Sequence, residues 1–275
     1  MTASTVPAPI VTGLYVPGNR PDRFDKAVAT GAQLIILDLE DAVSPEGKAD
    51  ARSAVVNWLE RRPRAGGPRI QVRVNAVGAV GTTSDLEALR PLADRFTLRL
   101  PKVESASSLE RTAGFTGTVA LIESALGVER ALEIAEHSLV GGLALGESDL
   151  ASNVGSTSEQ VIDYARIRLV FAARAAGLAA PMLSAWPGIR DLEGLRADTL
   201  RGRALGLVGR VAIHPSQLSV VTESFRPAPD EIAWAEAVLA AATIGGVSTL
   251  FSGDMVDAAM VGRAERVLAL VRATS

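Results

Sequence analysis

Two apolar segments of the sequence end in acidic residues. Residues 119–122 run directly into Glu123, and the apolar run that ends at Gly146 is followed three positions later by Asp149. Apolar segments without polar alternation are typical of strands buried on both faces of a parallel sheet. Parallel-sheet enzymes place their chemistry at the carboxyl ends of such strands, so we expect Glu123 and Asp149 at one mouth. Two carboxylates and water would suit Mg²⁺, although either residue alone can instead cap a helix or pair with an arginine.

The other predicted strand ends also carry polar side chains. They are Asn19, Arg20, Asp38, Glu40, Asp41, Arg73, Asn75, Lys102, Glu104, Glu147 and His214. Burying unpaired charges is costly, so a site explains this set more easily than a core does. Arg73 stands between Val72 and Val74, which directs its side chain to the opposite face, towards a barrel interior or its mouth. There it can pair with Glu40 or Asp41, clamp a substrate carboxylate, or do both.

The elements that position these residues follow a repeated pattern. Eight short apolar runs alternate with helical patterns, at 12–16, 34–39, 70–75, 96–101, 118–123, 140–146, 179–184 and 210–214. Eight βα units predict an α/β fold of the (β/α)8 TIM barrel type. A doubly wound sheet is the alternative, but the first turn lacks the glycine spacing and lysine of a phosphate-binding loop. Run 179–184 is the weakest predicted strand, because Pro181 disfavours a central position.

A C-terminal tail follows the eighth unit. Pro227 and Pro229 interrupt the chain, and helical patterns follow at 230–243 and 256–272. The tail is too apolar to be disordered, so we expect it to pack on the barrel or on another subunit. We therefore predict a TIM barrel catalytic domain over residues 1–226 and a C-terminal helical lid extension over residues 227–275.

The composition restricts the class of protein. Hydrophobic residues make up 48% of the 275 residues and aromatic residues only 4%, which fits α/β packing better than a β-sandwich. The net charge of −3 gives no reason to expect nucleic acid or an anionic membrane as a partner. The absence of cysteine excludes disulfides and thiol catalysis. With no apparent signal peptide or membrane-length apolar run, we expect a cytoplasmic protein.

Several sequence motifs occur in order between residues 12 and 270. They are LYVPGNRPDRF at 14–24, LDLEDAV at 37–43, VRVN at 72–75, LPKVE at 100–104, IES at 122–124, DLEGL at 191–195, IHPSQ at 213–217 and MVD at 255–257. Together they resemble the citrate lyase beta-subunit-like branch of the HpcH/HpaI aldolase superfamily. The resemblance implies a TIM barrel that cleaves or forms a carbon–carbon bond in a β-hydroxyacyl-CoA, such as citramalyl-CoA or malyl-CoA. The products of cleavage would be an acyl-CoA and a 2-keto acid.

The resemblance also implies roles for particular residues. Glu123 and Asp149 match the Mg²⁺ ligands of the family, and Arg73 matches an arginine that binds the carboxylate of the acid or keto acid. Asp257 matches an acidic residue of a C-terminal segment that closes over the site of a neighbouring subunit. It is our candidate for proton transfer at the thioester methyl group.

Two further implications concern the carrier and the assembly. Arg20 and Lys48 match basic positions that could contact the thioester carrier. The resemblance also implies a homotrimer or a hexamer built from two trimers.

The sequence departs from the family pattern at three places. Ser148 stands where relatives often have an acidic residue before the metal-binding aspartate, and Ala259 replaces a usual proline. Segment 183–188 lacks the small polar and acidic residues common there, which leaves the substrate open. One alternative is a citryl-ACP lyase subunit of a multi-subunit citrate lyase, and another is a non-catalytic thioester-binding or regulatory paralogue. The presence of Glu123, Asp149 and Arg73 together argues against the non-catalytic alternative.

Overall fold

The structure, a computed structural model, describes residues 7–63, 65–243 and 256–275. Its centre is a curled parallel sheet of seven strands in the order β6-β5-β4-β3-β2-β1-β7. The strands are β1 (Thr12–Pro17), β2 (Leu34–Asp38), β3 (Arg69–Arg73), β4 (Thr97–Leu100), β5 (Thr118–Ile122), β6 (Val140–Leu145) and β7 (Arg210–Ala212). Every residue of β2 is buried, as expected for a strand with helices on one face and other strands' side chains on the other.

Seven of the eight predicted strands are confirmed, and the strand predicted at 179–184 is wrong. In that segment Leu183 forms only an isolated parallel bridge to Arg210. The Leu183 amide donates to the Gly209 carbonyl at 2.9 Å, and the Leu183 carbonyl accepts from the Val211 amide at 3.1 Å. Pro181 has no amide hydrogen to add to a ladder. The segment therefore lies beside β7 and does not pair with β6. The described strands form a curled half-barrel.

Helices pack around the sheet and on one another. They are α1 (Phe24–Val28), α2 (Lys48–Arg61), α3 (Thr82–Leu89), α4 (Ala125–Glu129), α5 (Ala131–Ala135), α6 (Glu147–Val154), α7 (Glu159–Ala175), α8 (Leu192–Ala204), α9 (Leu218–Phe225), α10 (Pro229–Thr243) and α11 (Ala258–Thr274). The segment after β4, residues 105–113, has a helical pattern in the sequence. It forms a 3-10 helix, Ala106–Thr112, instead of an α-helix. The short helix α6 buries one residue, Leu150. Its sequence therefore shows no apolar periodicity that would predict a helix.

The interior of the curled sheet contains an apolar cluster. Leu34, Ile36 and Val211 form a buried cluster there, and Tyr15 and Met182 pack against it. A larger cluster fills the space between the sheet and the helices. Tyr15 and Val211 of this inner cluster also line a pocket at the carboxyl ends of the strands.

The two C-terminal helices pack on each other. Ala235 and Val238 of α10 and Ala264 of α11 form a small buried cluster of their own. At the far end of α11, the Ala273 carbonyl accepts a hydrogen bond of 2.8 Å from Nε2 of Gln33, which precedes β2 at the amino end of the sheet. Residues 244–255, including Met255 of the MVD motif, lie outside the described residues. Across the described ranges, no helix combines the length and apolar character needed to span a membrane.

Candidate active site

A pocket of about 450 Å³ opens at the carboxyl ends of the strands. Its polar lining includes Asp38, Asp41, Arg73, Arg99, Glu123, Glu147 and Asp149, and its apolar lining includes Tyr15, Leu121, Leu145 and Val211. The structure thus brings Glu123, Asp149 and Arg73 to one pocket, at the end of the sheet where the sequence predicts them. Clefts at this end of a parallel sheet are the usual place for ligands.

Glu123 follows β5 directly and is 5% exposed. One carboxylate oxygen, Oε2, accepts the backbone N–H of Lys102 at 2.9 Å. Lys102 has a φ of 54°, the left-handed region that a residue other than glycine rarely adopts. Burial raises the pKa of the Glu123 carboxyl to about 7, and the charges of Glu40 and Asp149 contribute to that increase. A buried carboxyl in this environment binds either a proton or a cation.

Asp149 lies in the first turn of α6, which begins directly after β6. Its side chain is exposed to the pocket, close enough to Glu123 for its charge to raise the Glu123 pKa. No group of three His, Cys, Asp or Glu side chains in the described part of the chain is placed to hold a metal ion. Glu123 and Asp149 are a pair of carboxylates that could supply two ligands. Mg²⁺ is commonly held in this way, by one or two carboxylates with water and substrate oxygens.

Arg73 is held by three carboxylates. Its Nε and Nη2 donate to Oδ1 and Oδ2 of Asp38 at 2.7 and 2.6 Å. Its Nη1 lies 3.1 Å from Glu40 and 3.2 Å from Asp41. Burial lowers the pKa of Arg73, but the hydrogen bond and charge of Asp38 outweigh that effect and raise it. The sequence predicted ion pairs with Glu40 or Asp41, and missed Asp38 as the bidentate partner.

Arg99 is a pocket residue that sequence reasoning missed. It is 5% exposed, and its Nη1 donates to Oε1 of Gln71 at 3.0 Å. Its guanidinium group lies 5.7 Å from the centre of the Tyr15 ring, and that of Arg73 lies 5.1 Å from the same centre. The signal was present: Arg99 stands between Leu98 and Leu100, the same alternation that identified Arg73.

Carboxylates outnumber cations at the mouth. The carboxylates are Asp38, Glu40, Asp41, Glu123, Glu147 and Asp149, and the cations are Arg73, Arg99 and Lys102. Carboxylate oxygens are the ligand type that hard divalent cations prefer. The residues present therefore fit Mg²⁺.

A buried ion-pair network lies behind the pocket. Arg166, 1% exposed, makes paired hydrogen bonds of 2.8 and 2.9 Å to Glu147, and of 3.0 and 2.9 Å to Asp198. Arg210 also donates to Asp198. Burial raises the pKa of Asp198, but the hydrogen bond from Arg166 and the charges of Arg210 and Arg166 lower it to about 2. Because Glu147 begins α6, this network holds the turn that carries Asp149.

Four other candidates lie outside the residues that line the pocket. Arg20 is exposed and pairs with Asp22 at 2.9 Å, and Lys48 donates to the carbonyls of Leu39 and Glu40 at 2.8 and 2.6 Å. Asp257 caps α11, where its carboxylate accepts the Met260 N–H at 2.7 Å. The exposed His214 makes a 2.8 Å hydrogen bond to Oγ of Ser216 and caps a 3-10 turn. These contacts are structural, so the proposed roles of the first three stay predictions.

Known proteins resemble this chain over most of its length. A citrate lyase subunit beta-like protein of Mycobacterium tuberculosis is 36% identical over 263 residues, covering 93% of each chain. The mitochondrial citramalyl-CoA lyase of Homo sapiens is 32% identical over 290 aligned positions, covering 94% of this chain and 84% of the human protein. The crystal structure of CitE from M. tuberculosis with magnesium, acetoacetate and coenzyme A matches with a TM-score of 0.81 and 34% identity. That match covers 95% of this chain and 98% of the other.

The family model described as HpcH/HpaI aldolase/citrate lyase matches residues 11–215. This range contains all seven strands and every residue that lines the pocket. The chain belongs to the HpcH/HpaI aldolase/citrate lyase family.

Proposed function

We propose that the protein is a magnesium-dependent carbon–carbon lyase. It cleaves, or forms, a β-hydroxyacyl-CoA such as citramalyl-CoA or malyl-CoA, and the products of cleavage are an acyl-CoA and a 2-keto acid. The observation that carries the proposal is the convergence of Glu123, Asp149 and Arg73 in one pocket at the carboxyl end of the sheet. The named activity of the human relative and the ligands of the M. tuberculosis structure support it.

Glu123 and Asp149 hold the cofactor in this proposal. Bound Mg²⁺ would act as a Lewis acid that stabilises the negative charge developing on the hydroxyl oxygen during cleavage. Gly146 allows the buried arrangement, because it has no Cβ to crowd the Glu123 carboxylate. Lys102 keeps one oxygen of Glu123 fixed through its amide. The second oxygen of Glu123 and the exposed carboxylate of Asp149 are then positioned to bind the ion.

Arg73 orients the acid half of the substrate. Its two hydrogen bonds to the buried Asp38 fix the plane of the guanidinium group. Its contact with Asp41 is different, because that carboxylate is 55% exposed and 3.2 Å away. A substrate carboxylate can replace the exposed Asp41 contact at Nη1 without disturbing the buried pair. Fixed donors aimed at developing charge stabilise it without reorganisation during the reaction.

Asp257 and the C-terminal helices supply the lid in this proposal. Residues 227–275 form an extension beyond the catalytic domain of residues 1–226, and the assembly is a homotrimer or hexamer. Asp257 enters the site of a neighbouring subunit and transfers the proton at the thioester methyl group. The lid excludes water while the enolate exists. Arg20, which is exposed after β1, and Lys48, which is half-buried at the start of α2, contact the CoA carrier.

A cleavage assay with the purified chain tests the proposal. Citramalyl-, malyl- and citryl-CoA are supplied with Mg²⁺ and separately with EDTA, and citryl-ACP is supplied in parallel. We expect turnover of at least one CoA thioester, its loss in EDTA and its return with excess Mg²⁺. Asp149→Asn should abolish turnover. The matched control is Asp50→Asn, which changes another aspartate in the first turn of a helix, outside the residues that line the pocket.

The same assay separates the alternatives. Turnover of citryl-ACP without turnover of any CoA thioester would instead support the citrate lyase subunit. Binding of a thioester without any turnover would support the non-catalytic paralogue.

A further inference from the structure

Arg99 differs from the other cations of the pocket in having no carboxylate partner among the described residues. Arg73 contacts three carboxylates, and Lys102 Nζ lies 3.2 Å from Glu40. Arg99 donates one hydrogen bond, from Nη1 to the neutral amide oxygen of Gln71, and its buried Nε has no hydrogen-bond partner. A guanidinium group carries five N–H donors, and leaving buried donors unpaired is costly. A charged group that is 5% exposed and lines a pocket is therefore available to a ligand.

Arg99 lines the pocket together with Arg73. It is in register with Val119 on the neighbouring strand β5, four residues before Glu123. Its guanidinium group stacks on Tyr15, which packs on the inner cluster. Leu121 lines the same pocket and stands two residues before Glu123, on the same face of β5 and one layer deeper. Glu123 and Asp149 lie at the mouth, above Leu121. Arg99 lies directly opposite Arg73 on the neighbouring strand β3, and both guanidinium groups lie over the Tyr15 ring.

Arg73 and Arg99 are neighbouring but separate contacts for a bound substrate. In the proposed function, the carboxylate and hydroxyl oxygens next to the bond that breaks lie at Glu123, Asp149 and Arg73. The group that reaches the neighbouring Arg99 is then the far end of the keto-acid half. A methyl group at that place would leave the donors of Arg99 unpaired in a buried site. A carboxylate would accept a pair of parallel hydrogen bonds from the guanidinium group.

We infer that Arg99 is a specificity-determining residue that binds a second carboxylate on the keto-acid half of the substrate. The inference rests on the proposed function and narrows its substrate class. The thioester would carry two carboxylates, and its cleavage would release a 2-keto dicarboxylate. Tyr15 holds the Arg99 side chain in place through the face of its ring. Gln71 accepts a hydrogen bond from Nη1 of Arg99, and no carboxylate among the described residues pairs with the guanidinium group.

Binding measurements test the inference without turnover. The probes are oxaloacetate, which has a second carboxylate, and pyruvate, which has a methyl group in its place. Each is titrated calorimetrically, in excess Mg²⁺, into the wild type, Arg99→Gln and Arg90→Gln. Arg90 is the matched control because it too stacks on a ring, that of Phe115 at 5.3 Å, outside the pocket. We expect Arg99→Gln to weaken oxaloacetate binding by about 100-fold and pyruvate binding by less than about threefold.

Two results would overturn the inference. Equal weakening of both probes in Arg99→Gln would show that Arg99 acts through general charge or structure, and would overturn the inference. So would tighter binding of pyruvate than of oxaloacetate by the wild type. Circular dichroism and the midpoint of thermal unfolding show whether Arg99→Gln is folded, and Arg99→Lys, which keeps the charge, provides a second variant if it is not. Lys should retain part of the preference for oxaloacetate.

Turnover separates failure of the inference from failure of the proposed function. Citryl-CoA and citramalyl-CoA differ by the same second carboxylate. We expect the wild type to favour citryl-CoA in kcat/KM, and Arg99→Gln to lose that preference. If the chain cleaves none of citryl-, citramalyl- and malyl-CoA, the proposed function fails, and the binding comparison still decides the role of Arg99. If it cleaves citramalyl-CoA alone, with Arg99→Gln unchanged, the function stands and the inference fails.

Discussion

Gly146 packs directly against the carboxylate of Glu123. A Cβ atom on residue 146 would lie 2.5 Å from Cγ of Glu123 and 2.8 Å from its Cδ, closer than two carbon atoms approach. The φ of Gly146 is −102°, which other residues adopt without strain. Glycine is therefore required here for space and not for backbone conformation. Gly146, which ends the apolar run before Asp149, thus controls the position of the Glu123 carboxylate.

Gly146→Ala should consequently lose metal binding while the protein stays folded. The added methyl group displaces the Glu123 carboxylate, and misplaced ligands typically weaken metal binding about 10- to 100-fold. The measurement is the rise in thermal unfolding midpoint on adding Mg²⁺. Gly142→Ala on the same strand is the control, since a Cβ there meets only Val119, at 3.7 Å. A normal Mg²⁺ response in Gly146→Ala would contradict the assignment of Glu123.

Mg²⁺ affinity should rise with pH up to about pH 7 and level off above it. Burial raises the pKa of Glu123 to about 7, so below that pH a proton competes with the metal for the carboxylate. In the metal-free protein, the contribution of Glu123 to folding stability changes with pH in the opposite direction. The stabilising contribution of the raised pKa is complete below the unfolded value of about 4.3 and is lost as pH rises through about 7.

Calorimetric titration of Mg²⁺ at pH 5.5, 7 and 8.5 measures the effect on metal binding. Glu123→Gln, which cannot ionise, should bind Mg²⁺ weakly at every pH. It should also remove the corresponding pH dependence of metal-free thermal unfolding. An Mg²⁺ affinity that stays constant between pH 5.5 and 8.5 would rule out Glu123 as a ligand with a raised pKa.

Much of the site was predictable because strand alternation and strand ends are local features. Glu123, Asp149 and Arg73 were identified from apolar runs that end in, or alternate with, a charged residue. Arg99 has the same local pattern. Whether a carboxylate faces Arg99 depends on which strands become its neighbours, and the local pattern does not show this.

The remaining errors have long-range causes. The pairing of Arg73 with Asp38 follows from the register of β2 with β3, which places these two residues directly opposite each other. The network of Glu147, Arg166 and Asp198 joins three helices across 51 residues, with no local signal in the sequence. Segment 179–184 has enough apolar residues for a strand, but Pro181 prevents a complete ladder.

Arg73→Lys should lose about 100-fold or more in kcat/KM although the charge is kept. A lysine cannot make the two parallel hydrogen bonds to Asp38 and also present a third donor to the substrate. The control is Arg52→Lys, another half-buried arginine, paired with Asp85 at 2.7 Å and outside the pocket. Steady-state kinetics and thermal unfolding of both variants provide the comparison. Wild-type kcat/KM in Arg73→Lys would leave Arg73 with only a structural role.

Asp198→Asn should destabilise the protein at neutral pH by about 3–5 kcal/mol, because it removes the shared carboxylate between two buried arginines. The pKa of Asp198 is lowered to about 2, so its stabilising contribution is present above the unfolded value of about 3.9 and is lost as pH falls towards 2. Urea unfolding of the wild type and variant across this range should show the difference shrinking below pH 4. A difference independent of pH would mean that the ionised form of Asp198 is not what stabilises the network.

The proposed lid places Asp257 in the site of a neighbouring subunit, and two substitutions separate this role from its structural one. Asp257 caps α11 through its hydrogen bond to Met260, and a lost cap typically costs about 0.5–2 kcal/mol. Asp257→Ser keeps a capping oxygen and removes the carboxylate, whereas Asp257→Ala removes both. If the carboxylate transfers the proton, both variants should lose turnover while still binding Mg²⁺ and keto acid. Only Asp257→Ala should lose stability.

Mixed oligomers then test whether the carboxylate acts between subunits. Asp257→Ser chains retain the metal ligands, and Asp149→Asn chains retain the lid carboxylate, so each oligomer of one kind should be inactive. In an equal mixture with random assembly, about a quarter of the sites would combine an intact metal centre with an intact neighbouring lid. Activity should therefore appear on mixing, in proportion to the mixed species seen by native mass spectrometry. Mixed oligomers that form and stay inactive would place Asp257 in the site of its own subunit or outside catalysis.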